Sequence, residues 1–167
     1  MPDAEDERWM RHALVEAGLA LKKGEVPVGA VVVYENKIIG RGHNQVEGLN
    51  DPTAHAEIIA IGAASTYLNS WRLSGASVYV TIEPCAMCAG ALVLSRIDRL
   101  VFGSKDPKAG ACGSLYNIVQ DIRLNHQLEV VPYILEKECS RVLHKFFEKL
   151  RRKSLEDKKG KKSGNAD

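Results

Sequence analysis

The sequence predicts an α/β protein of three layers, α/β/α, with helices covering a central mixed sheet of about five strands. Three observations predict it. Apolar runs of strand length alternate with stretches of helical period. Two of those runs are separated only by Glu35-Asn36, the spacing of a hairpin, which makes the sheet mixed. Finally, 167 residues that are 45% hydrophobic suffice for one compact domain with one core.

The elements follow in order. A first helix is expected over about Glu5–Lys23, with Met10, Ala13, Leu14, Ala17 and Leu21 as its apolar stripe and Gly24 as its stop. Val28–Tyr34 is nearly unbroken apolar sequence, as in a central strand buried on both faces. Lys37–His43 returns beside it. Asp51-Pro52-Thr53 punctuates the chain before a helix over about Ala54–Tyr67, and Ser77–Ile82 reads as the third strand. Pro84 opens a short helix, Cys85–Ser95, since proline is tolerated in a first helical turn. Leu100–Phe102 is the fourth strand and Gln127–Pro132 a weaker fifth, with a Gly- and Lys-rich loop, Ser104–Gly113, after the fourth. The last helix has the clearest amphipathic spacing, through Leu135, Cys139, Val142, Leu143, Phe146, Phe147 and Leu150.

Charge divides the chain unevenly. Residues 151–167 hold seven basic against three acidic residues, a net of +4 in a chain of net +2, so the first 150 residues carry −2. Residues 1–153 are therefore expected as the folded domain and 154–167 as a basic, disordered tail. No apolar run is long enough for a membrane span, and no basic-then-apolar leader pattern opens the sequence, so a cytoplasmic location is expected. In that compartment thiols stay reduced. Cys85, Cys88, Cys112 and Cys139 are accordingly read as metal ligands, reactive thiols or core residues before disulfides.

Two short motifs carry the chemistry: His55-Ala56-Glu57 at the start of one helix and Pro84-Cys85-Ala86-Met87-Cys88 at the start of another. Cysteines three apart in a first turn face the same way, and the positive end of the helix dipole favours the thiolate that binds metal. With His55 they make a Cys₂His set, the composition of a zinc site whose fourth position is open. Zinc there lowers the pKa of a bound water from about 15.7 to about 7. Glu57, two residues past His55, points to a different side and suits a proton shuttle. Alone, Cys-x-x-Cys also fits a redox dithiol and His-x-Glu occurs by chance. Together, in this order and with Pro before the first Cys, they match the signature of zinc deaminases of nucleobases. A third thiolate, Cys112, would close the site and make it structural, but its Gly-rich loop suits a small packed residue. Cys139 lies on the apolar stripe, His12 on a polar face, and His126 and His144 have no partner at recognisable spacing.

With those motifs, the segments Gly24–Ala30, Pro52–Glu57, Thr81–Ala91, Gly113-Ser114-Leu115 and Asn125-His126 resemble the bacterial tRNA-specific adenosine deaminases, of cytidine-deaminase-like fold. The resemblance extends from the first helix to about Arg152. It implies hydrolytic deamination of adenosine to inosine at the wobble position of a tRNA anticodon loop. It also implies one zinc per chain on His55, Cys85 and Cys88, and Glu57 as general acid/base. Asn44 would hydrogen-bond the target nucleotide and Asp106 would sit beside the RNA backbone, where spacing alone reads a strand-end residue and a turn cap. Phe147, with the adjoining Arg151 and Arg152, would border the anticodon loop. The resemblance further implies a homodimer, with single-stranded DNA as a candidate secondary substrate. Ala86, Cys112 and the Lys-rich tail depart from the usual pattern without touching a ligand or the shuttle. Two other functions remain open: deamination of a free base or nucleotide of guanine or cytidine type, and a non-catalytic zinc-stapled RNA-binding module.

Overall fold

A computed structural model describes residues 3–164. Met1-Pro2 of the acidic start and residues 165–167 of the expected tail lie outside the described residues. The elements are α1 (Ala4–Lys22), β1 (Gly29–Tyr34), β2 (Lys37–His43), α2 (Val46–Leu49), α3 (Ala56–Leu68), β3 (Ser77–Ile82), α4 (Ala86–Leu94), β4 (Arg99–Ser104), β5 (Glu129–Val131) and α5 (Glu136–Ser163), with a 3₁₀ turn at Ile118–Gln120. The strands form one sheet in the order β2-β1-β3-β4-β5. β1 is antiparallel to both β2 and β3, whereas β3, β4 and β5 run parallel, so the sheet is mixed.

Alternation along the strands builds the two outer layers. Ala30, Val32, Val78, Val80, Leu100 and Phe102 point to one face and pack with Ala56, Ala60 and Ala64 of α3 and Ala89, Leu92 and Val93 of α4. Val31, Val33, Tyr79 and Val101 point to the other, against Trp9, Met10 and Ala13 of α1 and Cys139 of α5. The three layers are those of the cytidine-deaminase-like fold. α3 lies tight on β2 because Gly42 has no Cβ: one built there would collide with the Ala56 carbonyl. That close approach sets the start of α3, and with it His55 and Glu57.

The α1 face is also held by charge. Asp6, buried, accepts two hydrogen bonds from Arg99 of β4 (2.6 and 2.7 Å) and one from the Tyr79 hydroxyl (2.9 Å). Leu21, expected on the buried stripe, is instead exposed. The stripe runs Met10, Ala13, Ala17, Ala20, and that last three-residue step turns Leu21 toward solvent. The last helix runs past Leu150, where the apolar spacing ends, and past residue 153 to Ser163, exposed throughout that extension. Arg, Lys, Leu and Glu are strong helix formers, and Arg152 pairs with Glu148 one turn back at 2.6 Å. Among the described residues no helix is long and apolar enough to cross a membrane.

Candidate active site

The two motifs meet at helix starts. His55 caps α3 and Cys85 caps α4, both with extended backbone, and Cys88 lies in the first turn of α4. One donor atom from each of the three residues falls within 4.8 Å of the other two. His55 Nδ1 is 3.6 Å from both sulfurs. Three lone-pair donors crowded this closely leave little room for protons, and a soft S₂N set is what a zinc-like cation prefers. A hydrogen bond from Cys88 is the main cause that brings the Cys85 thiol down to about 5. Hydrogen bonding to Cys85 and burial push the Cys88 thiol far up. The residues thus fit a metal ion.

Glu57, the second residue of α3, is buried and turned to the same spot: the Cys88 thiol donates to its Oε2 at 3.1 Å. Burial holds its carboxyl above the usual range. Asn44, directly after β2, is buried too, and its Oδ1 is without a hydrogen-bond partner among the described residues. A buried acceptor left unpaired costs roughly 1–3 kcal/mol, so a donor is expected to arrive there.

The loop after β4 forms the next wall. Ala111 N donates to the Pro84 carbonyl at 2.9 Å, and Gly110 pairs with Cys85 across a short antiparallel bridge. Asp106 heads this loop. Its Oδ1 accepts from the amides of Lys108 (3.0 Å) and Ala109 (3.2 Å), so it caps the turn through Pro107. The loop closes around Glu83, a buried carboxylate that takes hydrogen bonds from Asp106, Cys112 and Ser114. Its outer side lines a cavity of about 550 Å³ with Lys105, Pro107, Asn117, Gln120 and Tyr133.

Residues 4–151 match the model of the MafB19-like deaminase family. The tRNA-specific adenosine deaminase of Bacillus subtilis (strain 168) is 52% identical over 149 residues, covering 89% of this chain and 92% of its own. That of Aquifex aeolicus (strain VF5) is 50% identical over 145 residues, covering 87% and 95%. The chain belongs to the tRNA-specific adenosine deaminase family. A solved structure from work on A-to-I editing by tRNA:A34 deaminases at the wobble position superposes with a TM-score of 0.79 at 43% identity, covering 81% of this chain and 99% of that one.

Placed in this deaminase family, the remaining residues divide by layer. Phe147 is 45% exposed on α5, edge-to-face against the buried Phe146 at 5.4 Å. Arg151 and Arg152 follow on the exposed extension. α5 packs through Cys139 on the face of the sheet opposite α3 and α4. Cys112 is buried, its amide on Glu83, and is outside the three-donor group. Cys139 is core, its thiol pushed up to about 12 by burial. His12 is half-buried, its ring tilted against Trp9, and His144 is exposed. His126 does have a fold contact, with the Ile97 carbonyl at 2.6 Å.

Sequence reasoning missed three buried polar residues beside the site. Glu25 accepts from the amides of Glu47 and Gly48 and so anchors α2. His43 sits between Glu16 (3.3 Å) and Lys23 (3.0 Å), next to Asn44. Glu83 is the third. Its only signal was position, a charge at the end of an apolar strand directly before Pro84-Cys85, where burial requires partners.

Proposed function

We propose that this chain deaminates adenosine to inosine at the wobble position of a tRNA anticodon loop, with one zinc per chain held by His55, Cys85 and Cys88. The observation that carries the reading is the buried Glu57 carboxylate beside that donor group, in a chain half identical to tRNA-specific adenosine deaminases. Zinc, when bound, supplies a water acidic enough to be a nucleophile near neutral pH. Glu57 would take one proton from the attacking water and give it to the ring nitrogen, then take the second from the new C6 hydroxyl and give it to the departing amine. Water and adenosine thus become inosine and ammonia. Burial keeps competing water away from the carboxylate, and its place one residue into α3 aims it past His55 rather than along it.

Asn44 offers its unpaired Oδ1 to the target nucleotide. Asp106 is the acceptor for a 2′-hydroxyl, with Lys105 and Lys108 beside it for phosphate. Phe147, Arg151 and Arg152 border the anticodon loop, in a homodimer in which both subunits build the RNA site. An unpaired loop base reaches the site with little unstacking cost, which favours this substrate over duplex. Single-stranded DNA is a secondary substrate on the same ground. The working domain is residues 1–153, with 154–167 a basic appendage, and the location is cytoplasmic, where tRNA is modified. Incubation with total tRNA followed by sequencing tests the reading. Inosine at wobble adenosines is expected; free guanine or cytidine deaminated while tRNA stays unchanged would overturn it.

A further inference from the structure

Glu83 takes no part in the chemistry above, yet it is among the most enclosed charges of the molecule, at 2% exposure. Its Oε1 accepts from Asp106 N (3.1 Å) and the Ser114 hydroxyl (2.5 Å), and its Oε2 from the amides of Cys112 (3.0 Å) and Ser114 (3.1 Å). All four donors come from one loop, and two carboxylate oxygens have about four acceptor positions in all. The fit is tight enough to exclude a side chain at Gly110, where a Cβ would collide with the Glu83 carboxylate and the Asp106 carbonyl. On its other side the same loop is fastened to Pro84 and Cys85 by the Ala111 amide and the Gly110 bridge. Three consecutive residues, 83 to 85, therefore hold both a metal donor and the loop that carries Asp106.

The segment from Asp106 to Ala109 is braced internally by the Asp106 side chain. The bond from Asp106 N to Glu83 ties that braced piece to the strand end before Cys85. We propose that Glu83 is a positioning residue: it sets the register of the 104–114 loop against Cys85 and so fixes where Asp106 meets the sugar of the target nucleotide. This rests on the functional reading given above. Glu83 then contributes to the choice between RNA and DNA without touching either.

The test uses zinc-loaded enzyme on matched RNA and DNA anticodon hairpins, with parent, Glu83→Gln, Asp106→Asn and the double variant. Glutamine keeps the volume but turns an NH₂ toward amide donors. Glu83→Gln should retain one zinc and keep kcat within about threefold, while KM for the RNA hairpin rises about tenfold, because a small misplacement of a binding group is enough for that. The RNA/DNA ratio should fall to that of Asp106→Asn, and the double variant should fall no further, since coupled residues are not additive. Loss of zinc, an unchanged ratio with only a lower melting temperature, or independent effects in the double variant would each overturn the proposal. If Glu83→Gln does not fold, Ser114→Ala removes one donor of the four and should lower the ratio about two- to threefold; a parental ratio there overturns it equally. A parent that deaminates neither hairpin sinks the functional reading and this proposal with it.

Discussion

Glu57 and Asp106 are both carboxylates at the site, and their surroundings separate their roles. Glu57 is buried with a single thiol donor and is held above the usual carboxylate range by that burial. Asp106 is partly exposed and spends one oxygen on two loop amides, leaving the other available. Glu57→Ala should keep zinc and fold but lose turnover by at least the roughly 10²–10⁴-fold ascribed to general acid/base groups, because two proton transfers rest on it. Single-turnover rates with zinc quantification check this, and activity within tenfold of parent would assign the shuttle elsewhere. Asp106→Asn retains the oxygen that caps the turn, so the loop survives the change. What it alters is the free position, where an NH₂ donor replaces the oxygen that would accept from a 2′-hydroxyl, and the repulsion of phosphates when that hydroxyl is missing. The RNA/DNA rate ratio should narrow, and an unchanged ratio would remove Asp106 from recognition. That His55, Cys85, Cys88 and Glu57 come together was legible because a ligand set demands fixed residue types at fixed spacing. Glu83 was not, since its partners are mostly backbone amides, which no residue pattern announces.

At the scale of elements, hydrophobic period gave the strands closely: Lys37–His43 and Ser77–Ile82 are β2 and β3 as expected. It said nothing of α2, one turn long and anchored by the distant Glu25. It also faded beyond Leu150, where α5 continues as a solvated helix held by propensity and the Arg152–Glu148 pair rather than an apolar face. The bond of α1 to the sheet through Asp6 was equally invisible, because Arg99 lies far along the chain. Hydrogen bonds from Arg99 are the main cause that holds the Asp6 carboxyl below its ordinary value. A folded pKa below the unfolded one contributes stability that is present above about pH 4 and is lost as pH falls through the folded value. Asp6→Asn should therefore cost roughly 3 kcal/mol at neutral pH, the low end for breaking a buried pair since Arg99 is partly exposed. The deficit should begin to shrink below about pH 4, where the unfolded parent takes up the proton, and close as pH falls through the lowered folded value. Denaturant unfolding of both proteins from pH 7 to pH 3 measures it, and a deficit constant with pH would show that the pair is not what Asp6 contributes.

For the whole molecule, the two helix starts that carry the donors belong to one layer, and a metal between them would tie α3 to α4 across β3. Removing zinc should then lower the melting temperature as well as abolish activity, and readdition should restore both. A metal-free preparation with full activity would contradict that. The β1–β2 hairpin was legible in the two-residue spacing at Glu35-Asn36, but the rest of the sheet order was beyond the sequence: that β1 also lies beside β3 is announced by no local pattern, only by the Ala30–Val80 and Val32–Val78 pairings that long-range packing selects. The measurement closest to the central claim is inosine formation in an RNA hairpin carrying one adenosine at the wobble position. Zinc-loaded parent should produce inosine and ammonia in equal amounts at that adenosine, with Glu57→Ala inactive on the same RNA. An unmodified hairpin, or equal conversion by parent and Glu57→Ala, would contradict the account.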